Sequence, residues 1–335
     1  MKYRFFISFS VLLISFACRR EEKGNDFVYF DYLDSVINAL EVDLMPLEYE
    51  IVELAKYTES LYPLRDSLIA VADKSKYFVD RNNWFRNQRW ESSSSTVFVS
   101  FFSDNLARSK EEIFLTEPLD SVFAVLTEKY PMIAQVYYNT KSQTSRVYPP
   151  YDLMNTIEPE IDVTAFNFYY LATEDKNPEK KRVWIDEIYI DPAGRGWIMS
   201  LIHPVYFKQE FMGVLGIDIT LTDLMPYFSG NRNGNLMIID NLGTIVAGGD
   251  RAIEALSMPP LRNHTYIQTI LSDNFRKEDF NLFRSKSKEV RQMAAKFLLE
   301  KETDFRFELD GDKLEAFCRP MNMLGWYMLS IHPRE

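Results

Sequence analysis

Cysteine, histidine and glycine are scarce in this chain of 335 residues, which contains 2, 3 and 12 of them respectively. His203 and His332 have no other histidine or cysteine close by in the sequence, so we expect neither a metal site nor another cofactor. The G-x-S-x-G, H-E-x-x-H and phosphate-loop motifs are also missing. Asp186 and Glu187, the obvious pair of acidic residues, are neighbours in a predicted strand and would point to opposite faces. We therefore predict that the protein is not an enzyme.

Basic residues are fewer than acidic ones, with 38 Lys and Arg against 49 Asp and Glu and a net charge of −11. Because nucleic-acid-binding surfaces are basic, this balance argues against nucleic acid as a partner. Hydrophobic residues make up 46% of the chain and aromatic residues 15%, which is enough to build an ordered core.

A long hydrophobic run is missing too. The apolar run Phe5 to Ala17 has about a dozen residues, whereas a helix that crosses a bilayer needs about 20. Lys2 and Arg4 precede this run and Cys18 follows it, which is the layout of a secretory signal. The layout resembles the signal of bacterial lipoproteins, in which the cysteine is diacylated and becomes the new N-terminus. The alternative is an ordinary signal peptide with an incidental cysteine.

We predict a lipoprotein-type signal peptide at 1–17, lipidation of Cys18 and a polar tether at 18–26. The lipid would hold the protein on the extracytoplasmic side of a bacterial membrane, in the cell envelope. It would also leave Cys318 without an intramolecular partner, and its strand-like surroundings predict a buried, inert thiol.

The rest of the chain predicts an α+β protein with a long N-terminal helix followed by two modules. Apolar residues recur at helical spacing from Leu33 to Ala55, so we expect a long N-terminal helical region at 27–95, with a step at Pro46. Strand-like segments dominate the larger module, 96–228, and the Gly- and Asn-rich stretch after it marks a boundary. A second, smaller module, 229–335, begins with a hairpin and ends with three strands.

Several short motifs resemble those of double-Cache domains, which are extracytoplasmic sensor domains made of two tandem PAS-like modules. Each module of that family is an antiparallel sheet flanked by helices. The matching segments in this sequence are Tyr148-Pro149, Phe166-Asn167-Phe168-Tyr169, Tyr189-Ile190-Asp191, Pro204-Val205-Tyr206, Gly213-Val214-Leu215-Gly216-Ile217-Asp218 and, in the smaller module, Asp240-Asn241-Leu242-Gly243 and Gly325-Trp326.

The resemblance implies a ligand pocket in the module 96–228, between its sheet and the helices that cover it. In the family this pocket has aromatic walls and one or two carboxylates, which suit an ammonium group through charge-assisted hydrogen bonds and cation–π attraction. The ligand-binding residues that the resemblance implies here are Asp218, Asp191, Tyr189, Phe168 and Trp184.

Each carboxylate also has a structural interpretation. Asp191 begins the sequence Asp-Pro-Ala-Gly, which favours a turn. Asp218 lies in an apolar strand, where an unpaired carboxylate is costly, so it is either hydrogen-bonded structurally or used for a ligand. Family members that bind amino acids hold the ligand carboxylate with an arginine, and Phe166 stands in its place here. We therefore expect a cationic or neutral ligand rather than an anion.

Two functions remain open at this point. The first is a lipid-anchored protein that binds a small polar or cationic metabolite and signals through a separate membrane or envelope protein, since we find no kinase, cyclase or chemoreceptor output module. The second is a structural or adaptor lipoprotein of the same fold whose pocket has degenerated. A purified protein that a small molecule stabilises would favour the first.

Overall fold

The computed structural model describes residues 4–87, 94–228, 233–258 and 277–334, with side chains from residue 26 onward except at 233, 277 and 278. Contacts divide the chain into two compact units. The larger unit contains residues 43–226. The smaller unit contains the chain up to Val42 together with 227–258 and 277–334.

Helix α1, Arg4–Leu61, supplies residues to both units. Its buried apolar residues recur every three or four positions, which is the spacing of one helix face, at Leu33, Ile37, Leu40, Leu44, Leu47 and Ile51. The helix is continuous through Pro46, where we had expected a step.

The predicted signal peptide at 1–17, Cys18 and most of the tether precede the first described side chain, and residues 1–3 lie outside the described residues altogether. Of the helices within the described ranges, none combines the length and the apolar character that crossing a bilayer requires.

The larger unit is built on one antiparallel sheet. The elements after α1 are α2 Arg65–Val71, β1 Tyr77–Val79, β2 Phe85–Asn87, β3 Thr96–Val99, α3 Leu106–Leu115, α4 Leu119–Lys129, β4 Gln135–Thr140, β5 Thr144–Tyr148, α5 Asn167–Tyr170, β6 Val183–Trp184, β7 Tyr189–Ile190, β8 Trp197–Phe207, β9 Glu210–Thr220 and α6 Leu221–Leu224. In the described ranges this sheet has nine strands, in the order β1-β2-β3-β5-β4-β9-β8-β6, and β7 also pairs with β8.

Two pairings at the centre of this sheet decide the position of the candidate site. Strand β4 pairs with β9 so that Gln135 lies opposite Asp218, and β8 pairs with β9 so that Ser200 lies on the other side of Asp218. Gly216 of β9 lies opposite Tyr137 of β4, and a Cβ added at this glycine would fall 1.9 Å from the tyrosine ring. A glycine is therefore required there for the Tyr137 ring to lie over β9.

The smaller unit has its own antiparallel sheet, with five strands in the described ranges in the order β11-β10-β14-β13-β12. This confirms the prediction that the last three strands do not continue the sheet that contains Phe211 to Thr220. The elements are β10 Leu236–Ile239, β11 Ile245–Gly248, α7 Asp250–Ala255, α8 Lys288–Leu298, β12 Asp304–Leu309, β13 Asp312–Pro320 and β14 Tyr327–Pro333.

The hairpin that opens this unit turns where the sequence predicts. The Asp240 carboxylate accepts hydrogen bonds from the backbone N–H groups of Leu242, at 2.9 Å, and Thr244, at 2.7 Å. Gly243 has a φ of 82°, which a residue with a side chain rarely adopts. Cys318 of β13 is buried and makes no disulfide, as expected.

Two predicted elements differ from the structure. The region 27–95 is helical only as far as Lys76, because Tyr77 begins a strand that pairs with β2. Tyr77 and Phe85 pack against Val97 and Val99 of β3, and this tertiary burial outweighs the helical spacing of the preceding residues. The sequence from Val183 to Ile190 predicts one strand, but the structure has two short strands there, β6 and β7, which pair with different parts of β8.

Candidate functional site

Two buried carboxylates lie close together in the larger unit. Asp218 is on β9 and is 1% exposed, and Asp191, which directly follows β7, is 2% exposed. One side-chain amide contacts both of them, since Gln135 Nε2 donates to Asp218 Oδ2 at 2.6 Å and to Asp191 Oδ1 at 3.1 Å. The sheet and the turn after β7 thus bring together the two acidic residues that the sequence predicts for the site.

Asp191 has the structural role that its sequence suggests. Its carboxylate accepts hydrogen bonds from the backbone N–H of Ala193, at 3.0 Å, and of Arg195, at 3.1 Å. The turn is closed by the Asp191 N–H, which donates to the Gly196 carbonyl at 2.8 Å. These bonds use part of the acceptor capacity of Asp191, and the Gln135 side of the carboxylate faces the site.

Asp218 is held by side chains alone on both of its oxygens. Ser200 Oγ donates to Asp218 Oδ1 at 2.6 Å, opposite the bond from Gln135. The Ser200 hydroxyl lies 2.5 Å from the Tyr189 hydroxyl. Hydroxyl hydrogens rotate, so this chain of hydroxyl groups can adjust to either protonation state of Asp218.

Arg195 is a basic residue beside the carboxylates that the sequence analysis did not single out. Its Nε donates to Gln135 Oε1 at 2.7 Å, and one terminal nitrogen donates to the Pro149 carbonyl at 2.7 Å. These bonds fix the Gln135 amide so that its NH₂ group points at the carboxylates. The carboxylates thus have a basic neighbour although Phe166 stands in place of the family's arginine, but this guanidinium does not line the cavity described next.

A small cavity adjoins the two carboxylates. It lies between one face of the sheet and the segment from Tyr151 to Phe168, and its volume is about 40 Å³. One water needs about 10–15 Å³ of such a cavity, so there is room for roughly three waters. The lining residues are Phe98, Gln135, Tyr137, Asn139, Ser145, Val147, Tyr151, Ile157, Ile161, Val163, Phe166, Phe168, Asp191, Pro192, Ala193 and Asp218.

Burial controls the charge of the two carboxylates. Burial, and after it the nearby charge of Asp191, raise the pKa of Asp218 to about 8, against the hydrogen bonds from Gln135 and Ser200. Burial also raises the pKa of Asp191, opposed by its backbone hydrogen bonds and by Arg195. Because two carboxylates this close do not ionise independently, the pair retains about one proton near neutral pH.

The three predicted aromatic residues lie in different places. Phe168 lines the cavity and stacks on Phe166, with ring centroids 5.0 Å apart. Tyr189 does not line it but reaches Asp218 through Ser200. Trp184 also lies away from the cavity lining, because its indole Nε1 donates to Glu48 of α1 at 3.1 Å. Phe168 is thus the predicted aromatic residue that borders the cavity directly.

Strand β4 supplies functional residues that the sequence analysis did not identify. Gln135, Tyr137 and Asn139 alternate along the strand and therefore share one face, which is the cavity face. The strand reads Gln-Val-Tyr-Tyr-Asn-Thr, and polar residues such as Gln135 and Asn139 in a strand usually indicate a solvent-exposed face. All three side chains are instead buried.

Comparison with known proteins supports the fold. No protein-family model matches the chain, and no curated protein matches it in sequence. Among solved structures, the ligand-binding domain of the Pseudomonas fluorescens chemoreceptor CtaA in complex with L-alanine has a TM-score of 0.52 and 13% identity, covering 92% of this chain and 97% of that one. The ligand-binding domain of the Pseudomonas aeruginosa chemoreceptor PctC in complex with GABA has a TM-score of 0.47 and 15% identity, covering 92% and 99%.

The likeness to the first of these domains extends over nearly the whole chain. The long N-terminal helix, the two antiparallel sheets with their helices and this likeness together establish the double-Cache fold that the sequence motifs predict.

Proposed function

We propose that this protein binds a small molecule carrying an amine, and that the amine occupies the cavity beside Asp191 and Asp218. One observation carries the proposal: two buried carboxylates share the Gln135 amide at the wall of a cavity. An ammonium group is the ligand that such a site suits best, because it can donate to both carboxylates while neutralising the charge that burial disfavours. Binding, and not catalysis, is what this arrangement supports.

The structural neighbours support the same class of ligand. The CtaA domain is in complex with L-alanine, whose amino group is an ammonium at neutral pH. In our proposal the ligand of this protein has an amine, as L-alanine has. The rest of the ligand differs from an amino acid, because Phe166 replaces the arginine expected from the family motif. The ligand-binding residues are then Asp218, Asp191 and Phe168, with Tyr189 acting through Ser200.

A second proposal concerns the cellular setting. The protein would act on the extracytoplasmic side of a bacterial membrane, held there by acylation of Cys18. It would signal ligand binding to a separate membrane protein. The charged start, the short apolar run and the cysteine after it support the anchor. Mass spectrometry of the membrane fraction tests it, with a diacylated or triacylated Cys18 at the mature N-terminus expected. An unmodified Cys18 in a soluble mature chain would contradict it.

A degenerate pocket is the alternative, and two observations favour it. The cavity has room for roughly three waters, so any larger amine requires the segment from Tyr151 to Phe168 to move outward. The oxygens of Asp218 and Asp191 already accept hydrogen bonds within the protein. In that case the protein is an adaptor that contacts another envelope protein through its surface.

A thermal-unfolding screen against a panel of primary amines distinguishes the two functions. Under the binding proposal, at least one amine raises the melting temperature, because a ligand at 100 times its Kd stabilises the native state by about 2.7 kcal/mol. Asp218→Asn should abolish this increase. Asp175→Asn, which removes an equal charge from an exposed loop position, should leave it intact. An unchanged melting temperature across the whole panel would favour the adaptor.

A further inference from the structure

Two polar side-chain atoms at the cavity have no hydrogen-bonding partner among the described residues, namely the Tyr151 hydroxyl and the Oδ1 atom of Asn139. A third, the Tyr137 hydroxyl, has the Tyr189 hydroxyl as its polar neighbour without a well-formed hydrogen bond. The three residues are only 9%, 5% and 3% exposed, and all of them line the cavity. A buried polar group without a partner costs about 1–3 kcal/mol, so their placement around one cavity indicates a group that completes their hydrogen bonds.

The two hydroxyl groups lie at the carboxylate end of the cavity. The charge of Asp191 raises the pKa of Tyr151, and those of Asp218 and Asp191 raise the pKa of Tyr137, in addition to the effect of burial. Both phenols are therefore neutral, and each can present an oxygen acceptor to a donor that sits between it and the carboxylates. A primary ammonium has three N–H donors, so a carboxylate and two phenol oxygens are a complete set of acceptors for it.

Asn139 lies at the other end of the cavity. It is four residues from Gln135 on the same face of β4, which corresponds to about 13 Å along the strand. Its neighbour across the sheet is Ser145, which also lines the cavity. Between the two ends the walls are apolar, with Val147, Val163 and Phe166 among them. The far end thus offers an amide and a hydroxyl group and no charge.

A positive charge is missing from the cavity lining. None of the lining residues, within the part of the chain that the structure describes, is lysine, arginine or histidine. Arg195 is the basic group beside the carboxylates, and its bonds to Gln135 and Pro149 hold it at the opposite side of the Gln135 amide. A ligand carboxylate at the Asn139 end would be buried without a cation, which is far more costly than burial of a neutral polar group.

We propose that the ligand site has an uncharged far end, formed by Asn139 and Ser145, while Tyr137 and Tyr151 complete the acceptors around the ammonium group, and that this far end selects an elongated primary amine with a neutral polar end over the amino acid of the same length. This inference rests on the proposed function, because it takes the amine position at Asp191 and Asp218 as given. The ligand class is then an amino alcohol, an amino amide or a similar amine without a carboxylate.

The test compares matched ligands by isothermal titration calorimetry. The panel contains linear amino acids whose amine and carboxylate are separated by several methylene groups, the primary amide and the amino alcohol of each, and the alkylamine of the same length without a polar end. For the chain length that binds most tightly, the amide or the alcohol should bind at least about a hundredfold more tightly than the acid. An acid that binds as tightly as its amide overturns the inference and leaves the amine site standing.

Two substitutions separate this inference from the proposed function. Asn139→Ala should weaken binding of the amide or alcohol roughly tenfold or more, while binding of the simple amine changes little. Asp218→Asn should weaken all of these ligands together. If Asn139→Ala weakens binding of the simple amine as much as binding of the amide, Asn139 does not contact the neutral end of the ligand and the inference is wrong. If no amine in the panel binds the wild-type protein, both the inference and the proposed amine site are wrong.

Discussion

The protonation state of Asp218 gives the sharpest prediction, because its buried carboxylate should make the stability of the protein depend on pH. The pKa of Asp218 rises from 3.8 to about 8 on folding. The folded protein therefore holds a proton on this group at pH values where the unfolded chain has lost it. The sign follows: stability from this group is fully present below about pH 4 and is lost as the pH rises through 8.

The magnitude can be bounded from the same shift. A rise of about four pH units corresponds to on the order of 5 kcal/mol of unfolding free energy, lost between pH 4 and pH 8. Asp218→Asn removes the titration while keeping the shape. The asparagine oxygen can accept from Gln135, and its NH₂ group can donate to the Ser200 hydroxyl, which rotates to accept. The variant should fold, and its relative stability should improve as the pH rises.

Urea unfolding of the wild type and of Asp218→Asn between pH 4 and pH 8.5 is the appropriate assay. The difference in unfolding free energy between the two proteins reports the titration of the Asp218 and Asp191 pair, because the titrating groups outside this pair are common to both. We expect the wild type to lose at least about 2 kcal/mol relative to the variant over this range. A difference that stays constant from pH 4 to pH 8 would refute the reasoning, since Asp218 would then ionise in the folded protein as it does in the unfolded one.

Three further predictions address the site and the core. Amine binding should release about one proton near pH 7 and should strengthen as the pH rises from 6 to 8, because the ammonium displaces the proton shared by Asp191 and Asp218. Calorimetry in buffers of different ionisation enthalpy measures the proton release, and a binding heat that is the same in all of these buffers would contradict it. Gly216→Ala should destabilise the protein by about 1–3 kcal/mol in urea unfolding, because its Cβ would strike the Tyr137 ring, and a neutral outcome would mean that this ring is free to move aside. Cys318 should react with a thiol reagent only after unfolding, since burial raises the pKa of its thiol to about 12, and rapid labelling of the native protein would disprove this.

The sequence predicted the fold because its determinants are local or periodic. The buried face of α1 repeats every three or four residues, and the turn at Asp240 depends on an aspartate followed by a glycine three residues later. The split of β6 from β7 could not be predicted, because it depends on which part of β8 each short strand meets. The two acidic residues of the site were identified because the motifs that contain them are contiguous.

The contribution of β4 to the site was not predicted, for a physical reason. Gln135, Tyr137 and Asn139 lie at every second position of β4, and polar residues at such positions are usually found on the exposed face of a strand. Their burial results from the segment between Tyr151 and Phe168, which folds over this face of the sheet. Arg195 was missed for a similar reason, since its contact with Gln135 joins positions 60 residues apart. Spacing along the chain carries no information about either contact.

A crystal structure with the tightest-binding amine of the panel tests the central claim most directly. We predict that the ligand nitrogen lies within about 2.7–3.0 Å of a carboxylate oxygen of Asp218 or Asp191, with the rest of the ligand between β4 and the segment from Tyr151 to Phe168. An amine bound elsewhere on the protein, with the cavity as small as it is now and the Gln135 bridge between the two carboxylates intact, would contradict the account.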